Sequence, residues 1–483
     1  MKLTAPSTTD PEQQPDVDLH DVQGNILRGY RHPDVRYVTA AFTDVAGARG
    51  ALGALVEGAP GLPPIETASE WDTPPHACVN ASLTFGGLQF LGVPEPALRA
   101  FPEAFRYGSA QQAISSAEEP QMWRGVGIGD IGESAPEHWI IGGPNNPTVH
   151  LVISIFTDEA AQPAREHISD SLRRLFDSFD VSELSTHDGH TFVGGKIHFG
   201  YQDGISQPQV VGRPGTVKRD MQPMSHTGDF LLGGGYRNIY GGNYLADIPP
   251  SIGTNGTYMA FRILRQDVRA FDDFIHRTGA RFDMDPDQVA AKMVGRWRNG
   301  VPLAVSPDDD EVDIDPRELN RFDHAATVYH PTNFDDAEGL RCPFGSHMRR
   351  MNPRGGPVIG MQHNHRIIRR GVPYGPPFDP SKPDDGIERG LLGAFICGDL
   401  TNQFEFLMKT WANLDISMPD AKGSRDPIIG FQPSAGGKFA VRANDTRGEM
   451  VVHDLPRLVH TRGSLYLFIP GIGGLRTLAE GSW

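Results

Sequence analysis

The sequence predicts an α+β protein built as two ferredoxin-like α+β sandwich domains, on three observations. A β-rich run followed at once by a helical stretch occurs four times. Two of these units precede, and two follow, a region dense in Gly and Pro from Gly212 to Pro250 that includes Gly233-Gly234-Gly235. A chain of 483 residues, 38% hydrophobic and 22% charged, is also long enough for two or three domains with their own cores.

The elements follow in order. The first 20 residues, rich in Pro, Thr, Asp and Gln, predict a disordered tail, with structure starting near Asp21 in LHDVQGNILRGY. No basic region followed by an apolar run opens the chain, and no later segment is apolar enough to span a bilayer, which predicts a soluble cytoplasmic protein without membrane contact. RYVTAAFTDVAGARGALGALVEG from Arg36 and VHLVISIFTDEAAQPAREHISDSLRRLF from Val149 are the first two units. With the strand CVNASLTF from Cys78 they predict an N-terminal domain over residues 21–215. TYMAFRILRQDVRAFDDFIHR from Thr257, LLGAFICGDLTNQFEFLMKTW from Leu391 and the strand HRIIRRG from His365 predict a C-terminal domain over residues 216–483. In the last three units a polar residue, Thr157, Gln266 or Asp399, follows the strand as the expected helix cap. Apolar residues then recur at spacings of three and four, as at Val268, Phe271 and Ile275, so each helix is expected to lie on a sheet.

Lys plus Arg number 44 against 60 for Asp plus Glu, a net charge of −16. That charge repels phosphate backbones and anionic lipid, so nucleic acid is not an expected partner and a small or neutral substrate is. Cys78, Cys342 and Cys397 are three isolated thiols, which supports neither a disulfide framework nor a structural zinc site and suits a reducing compartment.

Three short segments carry chemistry. In FGYQDGISQP, Asp203 stands between Gly200 and Gly204, two residues that permit φ > 0. The loop reads either as a turn in which Asp203 bonds its own backbone or as the wall of a site at the domain junction. In RCPFGSHMRRMNPRGG, His347 is followed by Arg349, Arg350 and Arg354, an imidazole among cations that reads either as a structural histidine beside a basic face or as part of an anion site. HExxH and CxxCH are both absent, and His363 and His365 form only a weak metal-ligand pair on an expected strand. In RIIRRGVPYG, Arg369 and Arg370 are consecutive on an apolar strand, so one faces inward and needs an anionic partner, for which Asp203 is a candidate.

These three segments, in this order, with DVQGNILRGY ahead and GLLGAFICGDLTNQFEFLMKTW behind, resemble the dye-decolourising peroxidase family, in its longer bacterial and fungal form. The resemblance implies two ferredoxin-like domains of the dimeric α+β barrel type, with non-covalent haem b in the C-terminal one. It implies a peroxidase that reduces hydrogen peroxide and oxidises organic donors such as dyes and phenols through a ferryl intermediate; the rival is a non-catalytic haem carrier or iron-releasing protein on the same fold. By the same resemblance His347 is the proximal iron ligand, with Asp426 as its acceptor. Asp203 and Arg369 are the distal acid-base and cation, at least one of Arg349, Arg350 and Arg354 meets a haem propionate, and Tyr374 is a possible electron-transfer residue. Family members commonly read Gly-Leu-Leu-Phe where this chain has Gly390-Leu391-Leu392-Gly393. Strand alternation puts Leu391, Gly393 and Phe395 on one side as the pocket roof, so a gap is expected at Gly393 unless Phe395 covers it. A homo-oligomer is also compatible with the family.

Overall fold

Runs of β-branched and aromatic residues pair into one large antiparallel sheet in the computed structural model, which describes residues 15–118, 127–158, 162–213, 224–239, 248–315, 319–324, 336–355, 363–414, 421–442 and 449–483. The strands are β1 (Asp34–Phe42), β2 (Ala77–Leu83), β3 (Leu151–Thr157), β4 (Val181–His190), β5 (Thr257–Gln266), β6 (Ile368–Tyr374), β7 (Gly390–Cys397), β8 (Gly437–Arg442), β9 (Glu449–Leu455) and β10 (Val459–Ile469). Eight of them lie in the order β4-β1-β3-β2-β10-β5-β7-β6, and β8 and β9 form a separate hairpin. Counted within each half, both β4-β1-β3-β2 and β10-β5-β7-β6 run fourth, first, third, second, the ferredoxin-like order expected twice. The halves do not form two separate sheets, because β2 meets β10 where Leu83 faces Phe468. The edge strands β4 and β6 also come together: a Cβ on Gly189 would stand 3.0 Å from Cγ1 of Val372.

The four strand-then-helix units are present, as helices Val45–Glu57, Gln162–Ser178 and Val268–Phe282 and as consecutive π-helical turns Leu400–Glu405 and Leu407–Ala412. Two expected caps are corrected. Thr157 is the last residue of β3, and residues 159–161 after it lie outside the described ones. Gln266 stays in β5, paired with Val459, and Asp267 caps the helix instead by accepting from the Ala270 amide. Asp399 does cap its helix, accepting from the amides of Thr401 and Asn402.

Alternation along the strands divides the apolar side chains between two faces. Val35, Tyr37, Phe261, Leu392, Ile396 and Leu467 share one core, while Val38, Leu52, Phe176, Phe468 and Leu475 share another under the helices. The C-terminal helix Ile472–Glu480 packs on Val45–Glu57, so this second core belongs to both halves. The three cysteines are free and buried. The tail expected over residues 1–20 lies largely outside the described residues; of its described end, Val17 meets Gly212. Among the described residues no helix is long and apolar enough to cross a membrane.

Candidate active site

β6 carries Arg369 on one face and Arg370 on the other, as alternation requires. Arg370 is half-buried against the N-terminal segment, donating to the carbonyls of Asn25 and Ile26. Arg369 faces the Asp203 loop: its Nη1 lies 3.3 Å from Asp203 Oδ1 and its Nη2 donates to the Ser206 carbonyl at 3.0 Å. Asp203 does bond the backbone of its own turn, as Oδ1 also accepts the Gly204 amide at 2.7 Å. Among the described residues Oδ2 has no hydrogen-bond partner, and it looks toward Gly371, where a Cβ would stand 3.6 Å away. Gly200 and Gly204, with φ of 84° and 79°, let this loop turn back on the strand.

His347 is the first residue of the short helix His347–Met351. Its Nδ1 lies 2.9 Å from Oδ2 of Asp426, so it donates there and the lone pair is left on Nε2. Asp426 is fully buried, and its Oδ1 accepts from the amides of Ile428 and Ile429 at 2.9 Å each. Burial pushes this carboxyl up, but the His347 charge and hydrogen bond, the Ile429 amide and Arg350 outweigh it and hold the group below the usual carboxylate value. This carboxylate acceptor keeps the imidazole in one tautomer.

No protein-family model matches the chain. Among curated proteins it is 26% identical to a dye-decolorizing peroxidase of Mycena epipterygia over 496 residues, covering 96% of this chain and 87% of that protein. A multifunctional dye peroxidase of Amycolatopsis sp. is 26% identical over 490 residues, covering 95% of this chain and 96% of that protein. Among solved structures, a dye-decolorizing peroxidase in complex with 2,6-dimethoxyphenol superposes with a TM-score of 0.74 at 27% identity, covering 96% of this chain and all of that one. Another, in complex with cyanide, gives a TM-score of 0.75 at 26% identity with the same coverage. The chain is a homologue of the dye-decolorizing peroxidases.

Haem, the cofactor of such peroxidases, fits the residues present. It needs one axial nitrogen, a cationic edge for two carboxylates and a polar distal face. The cationic edge lies where Arg354 and Arg296 flank the Phe322 ring, 4.4 and 5.4 Å from its centroid. Among the described residues both hydrogen-bond only to neutral acceptors. Arg354 donates to the carbonyls of Asn320 and Phe322, to Oδ1 of Asn320 and to Ser206 Oγ; Arg296 donates to the carbonyls of Gly300 and Leu319 and to Oδ1 of Asn320. Burial pulls Arg296 down to about 10 and Arg354 well below the usual guanidinium value, Arg296 itself adding to the effect on Arg354. Beside them His324 is fully buried with both ring nitrogens unpartnered among the described residues. Such groups call for an anionic acceptor.

The other two arginines of the peroxidase homologue's histidine segment are occupied. Arg349 pairs with Asp336 at 2.7 Å and donates to the Cys342 carbonyl. Arg350 donates to the carbonyls of Trp411, Leu414 and Ser424. His363 and His365 do not share a site: they precede β6, and His365 Nδ1 meets the Asn402 carbonyl while His363 Nδ1 meets Arg366. Among the described residues no group of three or more His, Cys, Asp and Glu is placed to hold a metal.

In register, Arg369, Gly371 and Pro373 of β6 face Phe395, Gly393 and Leu391 of β7, so these residues share one face. The expected gap at Gly393 is absent. A Cβ there would lie 2.8 Å from Cε2 and Cζ of Phe395, whose ring folds over the glycine and stacks on Phe404 at 5.5 Å. Tyr374 ends β6, and its hydroxyl donates to Glu388 Oε1 at 3.0 Å; burial and then Glu388 push the phenol up. Sequence reasoning missed Ser206, Gln207, Arg296, His324 and Gly371. Only Gln207, beside Pro208 in the Asp203 loop, carried a signal, as an amide next to a turn.

Proposed function

We propose that the chain is a haem b peroxidase that takes hydrogen peroxide as oxidant and phenols or dyes as donors, with the cofactor held non-covalently. Bound haem supplies the iron centre at which peroxide is reduced and from which electrons are replaced by the donor. The observation that supports this reading above others is the Asp203–Arg369 pair, a carboxylate and a guanidinium drawn from distant parts of the chain to 3.3 Å.

His347 would hold the iron through Nε2, with Asp426 retaining the proton on Nδ1. Asp203 Oδ2 would accept the proton from one peroxide oxygen and return it to the other, because Oδ1 is already engaged. Arg369 would stabilise the negative charge that develops on the leaving oxygen. Arg354 is the arginine of the three best placed to meet a cofactor carboxylate, with Arg296 and His324 completing that edge. Leu391, Gly393 and Phe395 would line the distal face, and Tyr374, with Glu388 ready to take its proton, would serve as an electron-transfer residue. Three buried thiols suit a cytoplasmic location.

A haem carrier needs a ligand and a pocket but neither a distal base nor a distal cation. Stopped-flow mixing of the haem-loaded protein with stoichiometric peroxide tests the choice. Asp203→Asn and Arg369→Leu are expected to keep the Soret band and to slow its peroxide-driven change by about a hundredfold. Wild-type rates in both variants would overturn the peroxidase reading and leave the carrier.

A further inference from the structure

We propose that Gln207 is a positioning residue that sets the geometry of Asp203 and Arg369, an inference that rests on the peroxidase reading. β6 is the last strand of the eight-stranded order, and although β4 approaches it, among the described residues no strand is hydrogen-bonded to its outer edge. At Arg369 a side chain takes the place of that strand. Gln207 Oε1 accepts the Arg369 amide at 3.1 Å, and Gln207 Nε2 donates to the Arg369 carbonyl at 2.9 Å. One planar amide thus satisfies both main-chain groups of the residue that supplies the distal cation.

The preceding loop residue, Ser206, also fixes the guanidinium. The Ser206 carbonyl accepts from Arg369 Nη2 at 3.0 Å, and the Ser206 hydroxyl accepts from Arg354 at 3.2 Å. At the other end of the loop the Asp203 amide donates to the Gly195 carbonyl at 3.2 Å. The loop is therefore anchored at Asp203 itself and at Ser206 and Gln207, and Gln207 is the residue that ties it to the main chain of Arg369. The next residue of β6 that turns its amide and carbonyl outward is Gly371, and a staple there would hold the loop without fixing this pair. The choice of Arg369 as the clamped residue is what points to positioning.

The test uses the haem-loaded full chain with Gln207→Leu, which removes both amide bonds, and Gln207→Glu, which keeps the acceptor for the Arg369 amide and loses the donor. Haem content, melting temperature, the rate of reaction with peroxide, cyanide association and steady-state donor kinetics are measured for each. Deuterium exchange over residues 366–374 reports the clamp directly, and faster exchange is expected in Gln207→Leu. The expected result is unchanged haem content and donor KM, with kcat/KM for peroxide and cyanide association lowered together by about ten- to a hundredfold in Gln207→Leu. Gln207→Glu is expected to fall between that variant and wild type, a partial rescue that loss of stability alone does not produce. If Gln207→Leu does not fold, Gln207→Glu decides: a slowed peroxide reaction supports the proposal and a wild-type rate overturns it. Wild-type peroxide rates in Gln207→Leu, with Asp203→Asn and Arg369→Leu slow, would reduce Gln207 to a staple while leaving the peroxidase reading intact. Wild-type rates in Asp203→Asn and Arg369→Leu would remove that reading and this inference together.

Discussion

At Asp426 three donors converge on one buried carboxylate, two backbone amides on Oδ1 and the His347 ring on Oδ2. His347 itself is more exposed, its side chain at 27%. The two residues therefore differ in what their loss does. His347→Ala removes the nitrogen proposed to hold the iron and leaves Oδ2 of buried Asp426 without its donor, so haem is expected to dissociate or change its spectrum and the apo-protein to lose about 1–3 kcal/mol. Asp426→Asn replaces an anion by an amide whose N–H₂ competes with existing donors, which is expected to destabilise the fold by about 1–3 kcal/mol. It also weakens the electron donation from His347, so the reduction potential of the bound iron should rise. Spectroelectrochemistry and denaturant unfolding check both; a His347→Ala protein with full haem and an unchanged ferric spectrum would exclude it as the ligand.

Elements impose their own constraints on the site. Because the Phe395 ring already covers Gly393 and stacks on Phe404, a second ring at that position has nowhere to go without displacing the first. Gly393→Phe is expected to destabilise the protein by about 1–3 kcal/mol and lower haem retention. Slower small-phenol turnover with full haem and unchanged stability would mean that the space is vacant after all. Away from the site, Arg36 of β1 ties β4 and the helix Gln162–Ser178 together, donating to Asp188 at 2.7 Å and to Glu166 at 3.0 Å. Burial pushes Asp188 up, but its hydrogen bonds to Arg36 and the nearby charge prevail and lower it; Glu166 is lowered first by its hydrogen bond to Arg36. Carboxyls held below their unfolded values of about 4 contribute stability above that pH and lose it as the pH falls through their folded values. Arg36→Met is therefore expected to lower stability by about 1–2 kcal/mol at pH 7, with the gap from wild type closing below pH 4. A gap of equal size at pH 3 and pH 7 would show that Arg36 acts by packing alone.

Across the whole molecule the two halves depend on each other. Asp203 belongs to the first half, Arg369 and His347 to the second, and the core under the helices draws Leu52 and Leu55 from one and Phe468, Leu475 and Leu478 from the other. Asp130 and Arg262 cross the same divide as a buried two-pronged ion pair at 2.5 and 2.8 Å. Residues 21–215 made alone would expose that core and lose the Asp130–Arg262 pair. The fragment is expected to lack a cooperative unfolding transition and to bind no haem, by calorimetry and Soret titration. Cooperative melting near that of the full chain would show that the halves are independent.

The local code of this chain is strong where periodicity is strong. The four strand-then-helix units, the cap at Asp399 and the burial of Val268, Phe271 and Ile275 follow from alternation and from spacings of three and four, which need no distant partner. β4 escaped this reading because VSELSTHDGH is polar on an edge strand, and β10 because its register shifts between Thr461 and Gly463. The π-helical winding of residues 400–412 leaves no mark in apolar spacing either. At the site, the sequence determined which side chains exist, and motif order pointed to His347, Asp203, Arg369 and Asp426. Only tertiary structure decided that Asp203 reaches Arg369, that Gln207 clamps the strand between them, that Arg354 rather than Arg349 lacks a carboxylate bond, and that Phe395 fills the space over Gly393. Each of these is a contact between residues far apart in the chain, set by sheet register and by the way the two edges meet, and no local pattern of residues encodes such a distance.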